Sequence, residues 1–301
     1  MISGKKHKIL VIVGPTASGK SDLAIKLARK YNGEVISADS RQVYKGMNIG
    51  TGKVTKKEQK LAKHYLIDIA SPKKVFTVDD FKRLGQKAIE EIIAKNKRPI
   101  IVGGTGLYID VLLGRIQIPE VPANPKLRAK LEKQSVKQLF KRLQKLDPER
   151  AKTIDSKNKR RLIRALEIIL TTGRPVPKNK TKTKYNILWI GLKPKNLEKR
   201  IKIRLEKRLK QGMAKEVRKL RNQGVTWKRL YDFGLEYRWL AKYLQNKANH
   251  QEMEEGLLRD IFKYSKRQMT WFKRNEKIKW FPSPQDALRQ APGFLATDFR
   301  D

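Results

Sequence analysis

Cysteine is absent from this 301-residue chain, which excludes disulfides, thiolate-bound zinc and a cysteine nucleophile and is compatible with a reducing compartment. Acidic residues are scarce: 29 Asp and Glu stand against 71 Lys and Arg, a formal net charge of +42. Long apolar runs are missing too. No stretch approaches the roughly 20 residues needed to span a bilayer, and Met1 to Lys8 is short and polar. A soluble, cytoplasmic chain with no membrane association is therefore expected, acting as a monomer.

A charge of this size exceeds what solubility requires and repels itself in the compact state. A general lysine bias explains part of it, but the distribution is uneven. Residues 1–114 carry 22 Lys and Arg against 10 Asp and Glu, whereas residues 115–301 carry 49 against 19. The larger excess, in the second part, is what a surface following a nucleic-acid backbone would need.

What is present begins at residue 9. The apolar run Ile9–Val13 leads into Gly14-Pro15-Thr16-Ala17-Ser18-Gly19-Lys20-Ser21, and a helical pattern follows from Asp22. This G-x-x-x-x-G-K-[ST] motif between a strand and a helix is the context of a phosphate-binding P-loop. Gly14 and Gly19 permit the tight turn that aims backbone N–H groups inward, the helix start adds its positive dipole end, and Lys20 adds a full charge. Ser21 places a hydroxyl where Mg²⁺ bridging two phosphates would lie.

Short apolar runs alternate with helical patterns through the first 114 residues. Strands are predicted at Ile9–Val13, Glu34–Ala38, Tyr65–Ile69 and Pro99–Val102, and helices near 20–31, 56–63 and 78–96. The pattern predicts an α/β fold, a P-loop nucleoside-triphosphate-hydrolase-like parallel sheet flanked by helices. Pro119, Pro122 and Pro125 then break the chain, helical periods run through 126–146 and 157–172, and Gly173 to Pro177 breaks it again. Residues 116–184 thus form an expected inserted helical unit, between a first core part at 1–115 and a completion of the core at 185–301. Lys178, Lys180, Lys182 and Lys184 make a basic loop that is either solvated or phosphate-contacting. Tyr185–Leu192 is expected to rejoin the sheet, with helices near 195–222, 235–246 and 251–275 and a last edge strand at Ile278–Phe281.

Functional loops in such sheets lie at the carboxyl ends of strands. The run Ile100-Ile101-Val102 ends in Gly103-Gly104-Thr105 without the carboxylate that helps an ATPase hold magnesium. The acidic candidate is instead Asp39, after Glu34–Ala38. Two readings of it stand equal on local sequence: a proton acceptor or magnesium-orienting group beside the P-loop, or a helix N-cap. Trp271, Phe272, Trp280 and Phe281 read as core at helical and strand spacing rather than as base-stacking platforms.

The segment Ala38 to Lys53 resembles the D-S-x-Q-V-Y…G-x-x-I-G-T-x-K signature of tRNA dimethylallyltransferases, also called tRNA isopentenyltransferases. Gly14–Ser21 is similar to the family's G-P-T-A-S-G-K-[ST], His64–Asp68 to H-x-x-[ID]-D, and Val102–Tyr108 to V-G-G-T-x-L-Y. Asn158–Glu167 resembles N-x-x-R-x-x-R-A-L-E, and Lys266–Phe272 resembles K-R-Q-x-T-W-F. These six segments occur in the family's order from about residue 9 to residue 274. Without cysteine pairs for the zinc finger of eukaryotic relatives, the chain is more similar to the bacterial type.

The resemblance implies transfer of a dimethylallyl group from dimethylallyl diphosphate to N6 of adenosine 37 in tRNA, releasing diphosphate. It makes Gly14 to Ser21 the diphosphate holder, with Lys20 and Mg²⁺ on Ser21 neutralising the leaving group. It makes Asp39 the acceptor of the N6 proton and Thr105 the lining of the passage between donor and base. Arg204, within R-I-x-x-R, is implied as a second cation on the diphosphate, while neighbouring basic residues of that helix read as surface arginines. Contacts to tRNA are implied for Asp39, Ser40, Arg41, Gln42, Thr105 and Arg128, and for Arg160, Arg161, Leu162, Ile163 and Arg164. Two positions depart from the family pattern: Glu236 stands where glycine is common, and Arg208 where an apolar residue is common. From the residues alone, a P-loop kinase of a small metabolite, an adenylate prenyltransferase and a nucleic-acid-binding factor with a vestigial P-loop stay as alternatives.

Overall fold

A computed structural model describes residues 7–177 and 183–290. Six strands, β1 (Lys8–Val13), β2 (Gly33–Ser37), β3 (His64–Tyr65), β4 (Arg98–Gly103), β5 (Asn186–Leu192) and β6 (Lys279–Phe281), form one sheet in the order β3-β2-β4-β1-β5-β6. Every pairing is parallel. The expected doubly covered parallel sheet is present, and its strands read as continuous apolar runs because both faces are buried.

Alternation along β1 divides the core into two. Leu10 and Ile12 enter a cluster with Leu23, Ala24 and Leu27 of α1 (Lys20–Lys30). Ile9, Val11 and Val13 face the other way. There they meet α3 (Val78–Ala94) and α4 (Gly106–Leu112), which follow the short α2 (Lys56–Leu61). Side chains two apart share a face of a strand, so a one-residue slip would exchange the two sets between the two cores and spoil the packing of both.

The expected strand Tyr65–Ile69 is only His64–Tyr65, because Leu66 (φ 62°) and Asp68 (φ 57°) turn the backbone into the left-handed region. The helical stretch near 195–222 is two helices, α9 (Leu197–Lys210) and α10 (Met213–Asn222), interrupted at Gly212 with φ 93°. Beyond them lie α11 (Trp227–Phe233), α12 (Leu235–Leu244) and α13 (His250–Phe272). These helices enclose a third core in which Val43, Tyr44 and Met47 pack against Ile201, Leu205, Tyr237 and Leu257. Phe272 and Phe281 are buried and Trp271 and Trp280 pack partly buried against the sheet, as their spacing implied.

Residues 115–177 belong to a separate compact unit, and the remaining described residues to the unit carrying the sheet. The smaller unit contains α5 (Pro125–Glu132), α6 (Val136–Leu146), α7 (Pro148–Thr153) and α8 (Lys159–Thr172). The single period read at 126–146 is broken at Ser135, which caps α6 through a box with Gln138. Leu131, Leu139, Leu143, Leu162 and Leu166 form the core of this unit. Lys178, Lys180 and Lys182 of the basic loop lie outside the described residues. No helix among the described residues is long and apolar enough to cross a membrane.

Candidate active site

The carboxyl ends of β1, β2 and β4 open onto one cleft, lined among others by Thr16, Lys20, Ser21, Asp39, Gln42, His64, Arg204, Tyr264 and Gln268. Sheet order explains this convergence: β4 lies between β1 and β2, so the P-loop and the Asp39 loop flank the Gly103–Gly106 turn. Gly14 has φ 146°, and a Cβ there would stand 2.5 Å from the Leu192 carbonyl oxygen of β5. Ala17 (φ 61°) and Gly19 (φ 91°) also lie in the left-handed region, the alternation that turns successive N–H groups to one side.

Lys20 is folded onto its own loop, its Nζ 2.6 Å from the Pro15 carbonyl oxygen and 3.5 Å from Ser18 Oγ. Burial, reinforced by Arg204 and opposed by Asp39, brings the Lys20 ammonium down to about 7. Arg204 of α9 donates to Thr16 Oγ1 (3.4 Å) and to the Gly52 carbonyl (3.2 Å). Arg200, one turn earlier, donates from Nε to the Ala17 carbonyl (2.8 Å). It is not the plain surface arginine its neighbourhood implied. The spacing of Arg200, Arg204 and Arg208 places all three on one stripe of α9 while Ile201 and Leu205 face the core.

Asp39 combines both of its readings. Its Oδ1 accepts from the N–H groups of Arg41 (2.8 Å) and Gln42 (3.2 Å), as a capping residue would, and Oδ2 engages no partner among the described residues. The same side chain lines the cleft. Thr105 Oγ1 accepts from the Ser40 N–H at 3.2 Å, which joins the β4 turn to the Asp39 loop. Arg41 donates from Nε to the Phe233 carbonyl (2.8 Å), and Gln42, buried, accepts from the Ser37 hydroxyl (3.3 Å).

Three cleft residues carried no role in the sequence reading. Gln268 accepts from the Thr16 N–H (2.9 Å) and donates to the Gly104 carbonyl (3.0 Å), so one amide ties the P-loop to the end of β4. Gly104 admits it, since a Cβ there would collide with Gln268 Nε2. The signal was the K-R-Q segment. Tyr264 lies one turn earlier on α13, and burial, with the Asp39 charge adding to it, pushes its phenol well above the ordinary tyrosine value. It therefore keeps its proton. His64 places Nδ1 2.7 Å from the Ala62 carbonyl, which leaves Nε2 as a buried acceptor without a partner among the described residues. Burial lowers its pKa, so the ring is neutral at pH 7.

The implied tRNA contacts divide within the helical unit. Leu162 and Ile163 are buried in its core on the apolar face of α8, which leaves only their backbone to meet a ligand. Arg128 grips the fully buried Glu167 with Nε and Nη2, both at 2.8 Å, and Arg164 adds Nη1 at 2.6 Å. Arg164 also reaches the Val121 carbonyl at 2.9 Å. Burial alone would raise the Glu167 carboxyl, but Arg128, the Asn124 N–H and Arg164 together hold it at about 2. Arg160 and Arg161 are exposed.

Arg208 and Glu236, the two departures from the family pattern, meet each other. Arg208 Nη2 lies 2.8 Å from Glu236 Oε1, with side-chain exposures of 9% and 13%.

A magnesium ion is compatible with these residues on one condition. Among the described residues no group of three or more His, Cys, Asp and Glu side chains could form a protein cage, so the Ser21 hydroxyl would hold the ion jointly with phosphate oxygens and water.

The family model described as IPPT: IPP transferase matches residues 42–275. The chain is 39% identical to the tRNA dimethylallyltransferase of Acetivibrio thermocellus over 305 residues, which cover 96% of this chain and 97% of that one. Among solved structures, the full-length tRNA isopentenylpyrophosphate transferase of Bacillus halodurans matches with a TM-score of 0.72 at 36% identity, covering 97% of this chain and 96% of that one. A eukaryotic dimethylallyltransferase acting on tRNA matches with a TM-score of 0.84 at 26% identity, over 98% of this chain and 80% of that one.

Proposed function

The chain belongs to the IPP transferase family and is a prenyl-transferring enzyme that modifies tRNA, and from this premise we propose how its cleft performs the reaction. The donor is dimethylallyl diphosphate, held with its diphosphate in the P-loop, and the acceptor is N6 of adenosine 37. One observation carries the reading: a desolvated cation cluster, Lys20 with Arg204, shares a cleft with the open Asp39 Oδ2, while β4 ends in glycine and glutamine contacts. A cradle of this kind suits a leaving group better than the aiming of water at a γ-phosphate.

In the reaction the carbon–oxygen bond of the donor breaks and its electron pair stays on the diphosphate. The carbon bonds to N6, and the N6 proton passes to Asp39 Oδ2. Lys20, Arg204 and the loop N–H groups meet the charge that grows on the departing oxygen. Mg²⁺, held through Ser21, would supply further neutralisation of the same phosphates. The base has to leave the anticodon-loop stack to reach the cleft, which costs least in a single-stranded loop. Arg161, exposed on α8, would follow the RNA backbone together with Arg160, and Ser40, beside Asp39, would meet the base.

Incubation with labelled dimethylallyl diphosphate and unmodified tRNA, in parallel with reactions given AMP as acceptor or labelled ATP with small acceptors, followed by mass spectrometry of the products, tests this reading. Label on adenosine of tRNA is expected. Transfer to free AMP with tRNA left unmodified would make the chain an adenylate prenyltransferase, and transfer of only the γ-phosphate of ATP to a small acceptor would make it a kinase.

A further inference from the structure

We propose that the pair of buried Arg208 and half-buried Glu236 is a positioning device that clamps the Asn48–Gly52 loop and thereby sets Arg204 over the phosphate cradle. The proposal rests on the reading of the cleft as a diphosphate site.

The loop is held along both of its hydrogen-bonding edges. Its N–H groups at Asn48 (2.8 Å), Ile49 (2.7 Å) and Gly50 (2.9 Å) all donate to the Glu216 carboxylate of α10. Its carbonyls at Ile49 (2.7 Å) and Gly50 accept from Arg208 of α9. Tyr237, next to Glu236 on α12, donates to Glu216 Oε1 at 2.8 Å, so the helix that carries the Arg208 counter-charge also steadies the carboxylate under the loop N–H groups. Gly50 fits because it lacks a side chain; a Cβ there would stand 2.6 Å from the Tyr237 ring.

The last residue of the loop delivers the effect. The Gly52 carbonyl, two residues beyond the Arg208 contacts, accepts from Arg204 Nη2 at 3.2 Å. Among the described residues Arg204 has one other hydrogen bond, a long one of 3.4 Å to Thr16 Oγ1. A guanidinium with only those two tethers depends on its carbonyl partner for orientation. Arg208 can serve here because its planar fork reaches two carbonyls and a carboxylate at once, which an ammonium cannot do. Glu236 supplies the counter-charge without which Arg208, one turn from Arg204, would repel it inside a desolvated site.

Two variants separate positioning from folding and from bulk charge. Arg208→Lys keeps the charge opposite Glu236 and loses the fork. Arg208→Met/Glu236→Leu removes both charges of the pair and leaves neither without its partner. Tm, the Kd of inorganic diphosphate, and steady-state KM for dimethylallyl diphosphate and for tRNA are measured on the full chain.

Arg208→Lys is expected to weaken diphosphate binding and raise the donor KM about 10-fold. Its tRNA KM should stay within about twofold of the parent. The double variant is expected to retain a near-parental Tm and to keep the weakened diphosphate binding. Parental diphosphate affinity in either folded variant overturns the proposal, as does an equal rise in both KM values. Diphosphate binding needs no acceptor, so it judges the clamp even if the parent fails to prenylate tRNA, an outcome that would count against the function instead.

Discussion

Asp39 shows why a residue's chemistry has to be tested with the substitution that spares its structural half. Its Oδ1 organises the turn through the Arg41 and Gln42 N–H groups, and only Oδ2 is open to a substrate. Asp39→Asn keeps an acceptor oxygen for the turn and abolishes the base. A fall in kcat of about 10²- to 10⁴-fold with tRNA affinity nearly unchanged is expected, and an active Asn variant would remove Asp39 from proton transfer. Asp39→Ala should lose activity and turn order together. Lys20 gives a second residue-scale expectation. In the free chain burial brings it to about 7, and a bound diphosphate would restore its charge. Above about pH 7 the free protein therefore holds fewer protons than the complex, so donor binding takes up a proton and weakens as pH rises. A profile of donor KM from about pH 6 to 9 should rise on the alkaline side, and Lys20→Arg should flatten it. A flat profile in the parent would show that Lys20 is charged throughout.

At the scale of elements, α9 and α8 use the same residue type for opposite ends. The α9 stripe turns Arg200, Arg204 and Arg208 toward the carbonyls of Ala17, Gly52 and Ile49 around the P-loop and the neighbouring loop. On α8, Arg164 joins Arg128 in neutralising Glu167, a structural triad inside the helical unit. Glu167→Gln should destabilise that unit by about 3 kcal/mol, since two arginines lose their counter-charge and a buried site is left mismatched. Hydrogen exchange across α5 and α8 would report it, and unaltered protection there would contradict the assignment. The Glu167 carboxyl is held at about 2, below its ordinary value near 4.5. Its contribution is thus complete above the ordinary value and is lost as pH falls through about 2. Local sequence placed most elements well because their signals are local. The P-loop turn and the alternation along β1 each act within a few positions, whereas the Ser135 cap that splits 126–146 into two helices went unread. The two-residue β3 escaped because positive φ at Leu66 and Asp68 is a tertiary requirement that propensity does not carry.

For the whole molecule, the net charge of +42 is the property with the widest reach. It favours any polyanion, and the structure distinguishes arginines that are spoken for from those that face solvent. Arg161 is exposed, so Arg161→Gln should weaken tRNA binding similarly across sequences and reduce the slope of log K against log salt by about one phosphate contact. Arg164→Gln should instead lower the stability of the helical unit. Titrations of both variants at several salt concentrations separate the two effects; an unchanged slope for Arg161→Gln would place that residue away from the RNA.

The sequence by itself determined the glycine-rich turn between β1 and α1, the parallel sheet around it and the surplus of positive charge, because each is written in residues that are neighbours in the chain or in sums over it. Its motifs also pointed to Asp39 and Arg204. Only the tertiary structure decided which charges neutralise each other and which remain for a ligand. Gln268 reaches the P-loop from 252 residues away, Arg200 from 183, and Arg208 finds Glu236 across two helices. Such partnerships depend on how layers pack, and a hydrogen bond formed across that distance leaves no periodic trace in the sequence.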